Sequence, residues 1–247
     1  MINSNTIIDI NGISFGYKGV EALKNINISI KSGESIALIG PNGSGKSTFL
    51  KLLNGIILPN EGSYYFDDSE ITSKKMENNG FSRNFHKRIG FVFQNSDSQL
   101  FCSSVYEEIA FGPVQMGFSD AEVKKRVEDC MELLGIEELK DRTPYNLSGG
   151  EKKKVAIASV LACNPQILTL DEPMNGLDPK TKRFLRELLI KLNTSGKTII
   201  CSTHDFEYVK GVFKRAVVFS SNHTIIRDDD YNKVISDDEF LYENNIK

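Results

Sequence analysis

Nine consecutive residues, Gly40-Pro41-Asn42-Gly43-Ser44-Gly45-Lys46-Ser47-Thr48, fit the spacing G-x-x-x-x-G-K-[ST]. Glycines at these positions let successive backbone N–H groups turn toward one centre, and a helix opening behind them adds the positive end of its dipole. Such a loop cradles phosphates. Lys46 would reach the β- and γ-phosphates of a nucleoside triphosphate, and the Ser47 hydroxyl would take a place on Mg²⁺. A second constellation follows later in the chain, where the apolar run 167–170 ends in Asp171-Glu172. Asp171 would hold Mg²⁺ through its water shell, and Glu172 would aim at the γ-phosphate and orient an attacking water. Taken alone, the two acids read equally as solvated residues of an edge strand; the phosphate loop decides for the site. His204 follows the next apolar run, 198–201. A lone histidine is ordinarily structural, but its place after the strand that follows the carboxylate pair favours a role at the same phosphate.

The elements that must hold these residues read as strands punctuated by helices. Residues 6–10, 13–17 and 26–30 have the pattern of an antiparallel β-layer. Residues 35–39 form a short apolar run ending in glycine, as a buried parallel strand does, and 47–54 form a helix stopped by Gly55. Residues 89–93 are a further buried strand. Val123, Val127, Met131 and Leu134 fall at helical spacing within 119–134, the mark of a surface helix in a separate helical lobe, and a second helix of that lobe opens at 149–162. A helix over 179–192 between the apolar runs 167–170 and 198–201 implies a parallel crossover. Residues 216–219 and 224–226 suggest a closing hairpin. The polar stretch 228–247 is expected to fray.

With 247 residues the chain can bury a substantial core. Its formal net charge of -3 argues against binding that depends on neutralising nucleic-acid phosphates. Cys102, Cys130, Cys163 and Cys201 form no C-x-x-C pair, which suits reduced thiols better than zinc or disulfides. Residues 1–5 show no leader pattern, and no apolar run approaches the roughly 20 residues that span a bilayer. Work at a membrane would need another subunit to do the crossing. His86 and His223 are isolated and read as solvated surface residues rather than metal ligands.

Three further segments, and two smaller matches beside them, carry a family resemblance. Asn146-Leu147-Ser148-Gly149-Gly150-Glu151 resembles the L-S-G-G-[QE] signature of ATP-binding-cassette (ABC) ATPases, in which this helix N-terminus faces a phosphate held by the opposite subunit. Gln94, closing the strand 89–93, resembles the family's Q-loop, which touches both Mg²⁺ and the transporter partner. His204, within Ser202-Thr203-His204-Asp205, matches the switch histidine that contacts the γ-phosphate. Tyr17, in Ser14-Phe15-Gly16-Tyr17, falls where the family stacks an aromatic on adenine, although a core tyrosine on an alternating strand would look the same. Gly176-Leu177-Asp178 resembles the D-loop that crosses the dimer interface. The resemblance runs from about residue 7 to about residue 226 with the motifs in family order. It implies an α/β fold: a P-loop NTPase core with an antiparallel β-subdomain and an inserted α-helical subdomain at about 95–163. The ATP-binding domain would occupy 1–225 and a short polar tail 226–247.

The tract Phe93-Gln94-Asn95-Ser96-Asp97-Ser98-Gln99-Leu100-Phe101, with Val105-Tyr106-Glu107-Glu108-Ile109-Ala110-Phe111-Gly112-Pro113, resembles energy-coupling-factor (ECF) ATPases, which serve importers of transition metals and vitamins. Residues 147–162 and 202–205 are similar to the cobalt/nickel branch. Ser96 stands where proline is usual and Ser98 where an acid is common; both lie where the membrane subunit should dock. Met174-Asn175 departs from the more common threonine, with little consequence expected. The short tail leaves no room for the extra domain of many vitamin-branch subunits, which favours the metal branch. The resemblance implies ATP and Mg²⁺ as cofactors and a head-to-tail dimer, homo- or heteromeric, with each phosphate loop facing the other copy's Ser148 segment. It also implies an integral-membrane coupling subunit, a substrate-binding membrane subunit and a peripheral place on the cytoplasmic face of the membrane. In that assembly Glu172 orients water, Lys46, Gln94 and His204 serve the transferring phosphate, and two ATP molecules lie between the copies. A vitamin importer is the alternative. A soluble repair or translation ABC protein would carry a coiled-coil insertion or a second cassette, neither of which is present. A module using ATP only as a signal is disfavoured by Glu172 and His204.

Overall fold

Ile8, Ile10 and Ile13 point into the core of one long strand, β1 (Thr6–Tyr17), which turns back through β2 (Val20–Lys31) with Ile8 opposite Ile30. A computed structural model describes residues 5–247; the first four residues, part of the segment where no leader is expected, lie outside the described residues. The expected gap between 10 and 13 is an irregularity within β1, where the register against β2 shifts and the period-two alternation breaks. β3 (Ser35–Ile39) is buried along its whole length, as a central parallel strand must be. α1 (Lys46–Leu53) follows it and seats Phe49, Leu50, Leu52 and Leu53 in the core.

Residues 61–88 hold structure that apolar patterning does not announce: β4 (Glu61–Phe66), β5 (Ser69–Glu70), α2 (Ser73–Met76) and α3 (Asn79–Arg88). β4 pairs with β1, so the first sheet runs β2-β1-β4-β5. The two helices are started by side-chain caps rather than by an apolar face: Thr72 accepts from Lys75 N–H and Asn78 from Phe81 N–H. β6 (Ile89–Val92) comes next. α4 (Val105–Gln115), α5 (Asp120–Leu134) and α6 (Gly149–Leu161) pack on one another, with Ser119 and Ser148 each closing a capping box at the start of the second and third.

β7 (Ile167–Asp171), α7 (Pro179–Thr194) and β8 (Thr198–Ser202) form the expected parallel unit, and β9 (Arg215–Phe219) and β10 (Ile225–Asp230) form the expected hairpin. The second sheet runs β10-β9-β3-β8-β7-β6, parallel except for β10. Leu38 and Asp171 both stand level with Ser202 of β8. The carboxyl ends of β3, β8, β7 and β6 therefore open along one edge, where open α/β sheets bind ligands.

The expectation that 228–247 frays is corrected. β10 continues to Asp230, and α8 (Tyr231–Ile235) and α9 (Asp238–Glu243) follow, each started by an aspartate cap, Asp230 and Asp237. Tyr231, Val234 and Leu241 are buried in the same apolar cluster as β7 and β8. The stretch looks polar because its acids are caps and ion-pair partners, such as Asp237 with Arg227 at 2.6 Å. Leu241→Ala is expected to lower the unfolding free energy by about 2–5 kcal/mol in a urea titration, as for any fully buried leucine. A frayed tail would register almost nothing.

Candidate active site

The phosphate loop leaves β3 at Gly40 and enters α1 at Gly45, and both turns require glycine. Gly40 lies at φ 146° with the Phe219 carbonyl 2.3 Å from where a Cβ would sit; Gly45 lies at φ 105° with the Ala22 carbonyl equally close at 2.3 Å. Lys46 is buried, and its Nζ donates to the Gly40 carbonyl at 2.7 Å and the Pro41 carbonyl at 2.9 Å. Burial draws its pKa below the usual lysine value, while Glu172 and Asp171 pull the other way. A cavity of about 430 Å³ opens over the loop, lined by residues 42–48 together with Ala22, Gln94, Glu172 and Asn175. The Ser44 hydroxyl is fully buried and has no hydrogen-bond partner among the described residues. Orphaned buried donors are rare, and together with the Lys46 ammonium and the α1 N-terminus this one fits an anion of polyphosphate type.

The carboxylates are held from the neighbouring strand. Ser202 Oγ donates to Asp171 Oδ1 at 2.6 Å and accepts from the Glu172 N–H at 2.9 Å, so one hydroxyl on β8 fixes both acids. Glu172 sits at φ 44°, a left-handed conformation that costs a non-glycine residue roughly 1–2 kcal/mol. Around its carboxylate stand three nitrogen donors: Gln94 Nε2 at 3.4 Å, Asn175 Nδ2 at 3.5 Å and His204 Nε2 at 3.2 Å. Asp171 is buried beneath them and does not line the loop cavity, although its charge reaches Lys46. The Ser47 hydroxyl and the Gln94 amide line this cavity, and with the buried Asp171 carboxylate they are oxygen donors of the type Mg²⁺ accepts alongside phosphate and water. His204 lines an adjoining cavity of about 830 Å³ that shares Asn42, Glu172 and Asn175 with the first.

Burial lowers the His204 pKa below 6.5, the Lys46 charge lowers it further, and Glu172 opposes both. The neutral ring is the form that can donate one Nε2–H to Glu172 while staying uncharged beside Lys46. A proton then binds the unfolded chain more readily than the folded one just below pH 6.5, so this histidine's contribution to stability is lost as pH falls through that window. In the nucleotide-free protein its ring is expected to titrate below 6.5 by NMR, and Lys46→Met should move the midpoint upward. An unchanged midpoint would show that Lys46 does not act on the ring.

Several residues singled out from the sequence are not brought to this cavity. Tyr17 ends β1 with its ring edge-on to Phe15 at 4.9 Å, exposed and outside the lining. Ser148, Gly149, Gly150 and Glu151 open α6 elsewhere on the surface: Ser148 N–H and Oγ both donate to Glu151 at 2.7 Å, and among the described residues no other segment comes within 4 Å of the Gly149 Cβ position. Asp178 caps α7, accepting from the Lys180 and Thr181 N–H groups at 2.9 and 3.0 Å. Its neighbour Thr181 approaches Gly150, so the signature turn and the Asp178 turn adjoin. His86 and His223 are half-buried rather than solvated, a correction to the surface reading; His86 packs edge-on against Phe85. Among the described residues no cluster of three or more His, Cys, Asp or Glu side chains could hold a metal, and no helix is long and apolar enough to cross a membrane. Sequence reasoning missed Ser202 and Asn175 as partners of the carboxylates, and it missed Lys153, whose buried Nζ donates to the carbonyls of Phe93 and Gln94. The tracts that contain them were legible; the Ser202 contacts depend on β8 pairing with β7, those of Lys153 on α6 packing at the end of β6, and that of Asn175 is local, to Glu172 three residues back.

Comparison with known proteins agrees with this geometry. The ABC transporter family model matches residues 23–175. A Clostridium acetobutylicum protein, named only provisionally as an ABC transporter ATP-binding protein, is 65% identical over 97% of this chain and 100% of its own. The nickel import ATP-binding protein LarO of Lactiplantibacillus plantarum is 47% identical over 90% of this chain and 92% of its own. The energy-coupling factor transporter ATP-binding protein EcfA of Methanococcus maripaludis is 39% identical over 98% and 85%. Among solved structures, cbiO1 from Clostridium perfringens, part of the ABC transporter complex cbiONQ, superposes with a TM-score of 0.82 at 36% identity, covering 99% of this chain and 96% of that one. A dimeric ATP-binding cassette holding ADP and phosphate after hydrolysis superposes equally well, with a TM-score of 0.82 at 30% identity over 91% and 98%. With the phosphate loop, the strand-end carboxylates and these relatives in agreement, the chain belongs to the ABC transporter family as one of its ATP-binding, ATP-hydrolysing subunits.

Proposed function

We propose that this chain energises an ECF-type importer of a transition-metal ion, nickel or cobalt, as one half of an ATPase dimer beneath membrane subunits on the cytoplasmic face. The observation that carries the importer reading is the likeness, along nearly the whole chain, to a nickel import ATP-binding protein and to an EcfA protein, joined to the ECF-like tract 93–113. The dimer reading rests on the outward-facing Ser148 turn, which lines no part of its own chain's phosphate cavity. A second copy seated across that cavity would bring its Ser148, Gly149, Gly150 and Glu151 to the γ-phosphate and its Asp178 turn to the seam, with Tyr17 against the adenine.

In this reading residues 40–48 bind the triphosphate, and Lys46 leaves the Gly40 and Pro41 carbonyls to meet the β- and γ-phosphates. Glu172, held by Ser202 and surrounded by Gln94, Asn175 and His204, orients the attacking water and accepts its proton as the bond to the γ-phosphorus forms and that to the leaving ADP oxygen breaks. With nucleotide bound, the His204 Nε2–H leaves Glu172 and turns to the phosphoryl oxygens, since the neutral ring has one proton to donate. Ser47, Asp171 and Gln94 would hold Mg²⁺, which when bound neutralises charge on those oxygens. Affinity purification from membranes, followed by uptake of radiolabelled Ni²⁺, Co²⁺ and vitamins, tests the assignment. Metal uptake that vanishes in a Glu172→Gln strain is the expected result. Vitamin uptake without metal uptake would transfer the chain to the vitamin branch, and absence of any membrane partner would remove the importer reading.

A further inference from the structure

The run Lys152-Lys153-Lys154 lies in the second turn of α6, and successive helix positions send the three side chains in three directions. Lys152 reaches out to Asp97 at 2.7 Å, and Lys154 lies over the Phe184 ring at 4.6 Å. Lys153 turns inward and is 3% exposed. Among the described residues no carboxylate lies within ion-pair distance of it; its Nζ instead donates to the Phe93 carbonyl at 3.0 Å and the Gln94 carbonyl at 2.8 Å. An ammonium buried against two neutral carbonyls is an expensive way to fill a core position that a methionine would fill without desolvation. What it accomplishes is local: where β6 ends, these two carbonyls have lost their sheet partners, and one side chain satisfies both.

The rest of the turn is tied to the same helix. Gln99 Oε1 accepts from the Phe93 N–H at 3.1 Å, while its Nε2 donates to the Ala156 carbonyl at 2.8 Å and to Ser159 Oγ at 3.3 Å. With the Lys152–Asp97 pair, residues 93–99 are fastened to α6 at three places, and Lys153 is the fastening at Gln94. The Gln94 side chain stands in turn 3.4 Å from Glu172, and His204 3.2 Å from the other oxygen of that carboxylate. At the opposite end, Lys153 lies five residues along the helix from Ser148, about 7.5 Å of helix rise. A continuous series of contacts thus runs from Ser148 through the first turns of α6, Lys153 and Gln94 to Glu172.

We infer that Lys153 is a positioning residue that makes the start of α6 and Gln94 move as one body, so that a phosphate seated on Ser148 sets the placement of Gln94 against Glu172. This rests on the reading above in which Gln94 and Ser148 serve the nucleotide. It assigns Lys153 no contact with ATP; it acts on turnover through Gln94 alone.

The test compares Lys153→Met, Lys153→Arg, Gln94→Ala and the double variant Lys153→Met/Gln94→Ala in the full-length protein, reading kcat and KM for ATP, the Kd of a fluorescent ATP analogue, and the thermal midpoint. Lys153→Met is expected to lower kcat about tenfold while the analogue's Kd stays within about twofold. The double variant should be no slower than Gln94→Ala, because the clamp has nothing left to position. Lys153→Arg, which keeps donors for both carbonyls, should recover most of kcat. A Lys153→Met protein that melts earlier yet turns over at the wild-type rate well below its midpoint would reduce Lys153 to a stability role and overturn the inference, as would additive losses in the double variant. If Gln94→Ala itself turns over normally, the reading of Gln94 falls and the inference with it; if only Lys153→Met does, the inference falls alone. Should Lys153→Met not fold, Lys153→Gln offers neutral donors on a side chain one atom shorter, so an intermediate kcat is expected and a wild-type kcat would overturn the inference.

Discussion

Glu172→Gln is expected to bind ATP about as well as the native protein and to hydrolyse it about 10²- to 10⁴-fold more slowly, the range for loss of a positioned general base. The size of the effect follows from how this carboxylate is held. Its backbone is in a left-handed conformation pinned by Ser202, whose carbonyl and hydroxyl both accept from the Glu172 N–H, at 3.2 and 2.9 Å. Around the side chain stand three donors, Gln94, Asn175 and His204, and no acceptor among these contacts. A carboxylate can accept from all three, whereas an amide presents one oxygen and turns its own N–H₂ against at least one donor. The amide therefore removes the proposed proton acceptor and loosens the ring of contacts without touching residues 40–48, to which the proposed function assigns the binding. Single-turnover hydrolysis separates the steps: analogue Kd near the native value with the chemical step slowed at least a hundredfold supports the assignment, and turnover within a few-fold of native would sink it.

Most of the candidate site was legible because it is written in contiguous residues. The loop 40–48, the pair Asp171-Glu172 and the histidine after the next strand each combine a residue type with a local pattern, and the parallel order β3-β8-β7-β6 then sets their strand ends along one edge. What was hidden depends on pairing between distant segments. Ser202 contacts Asp171 only because β8 lies beside β7 in a particular register, and Lys153 meets Gln94 only because α6 packs on the exit of β6. Residues 61–88 were missed for a different reason. In α3 Phe85 is buried and Phe81, one turn earlier, packs on the same core, but two aromatics among ten mostly polar residues make a short period, and the Asn78 cap is the other local mark of the helix. The tail was misread in the same way, since Asp230 and Asp237 look like solvated acids until they are seen capping helices that bury Tyr231, Val234 and Leu241. Both failures fall where a short helix buries only one to two side chains and its cap is a polar residue that reads as solvated.

Gly45→Ala is expected to cost on the order of 3 kcal/mol of stability and to weaken ADP binding at least about tenfold. Gly45 precedes α1 at φ 105°, a conformation that an alanine adopts only at a strain of about 1–3 kcal/mol. The added methyl would also stand 2.3 Å from the Ala22 carbonyl and 3.1 Å from Leu23 Cδ2. The first of these is backbone of β2, which cannot rotate away, so either the strand shifts or the loop does. Ala22 lines the phosphate cavity, and Lys46 follows directly in the chain, so either movement alters the wall of the site or the ammonium that spans the loop's base. Gly43→Ala supplies the control within the same loop. Its φ is 79°, but nothing lies within 4 Å of the new methyl, so it should show only the conformational cost of about 1 kcal/mol. Urea unfolding and calorimetric ADP titration of both variants measure the difference between a loop that merely prefers glycine and a loop held against its neighbouring strand. Equal losses at the two positions would mean that the loop accommodates the methyl and that the contact with Ala22 does not shape the phosphate site. A clearly larger loss at Gly45 would identify the β2 backbone as the fixed surface against which the phosphate cradle is built.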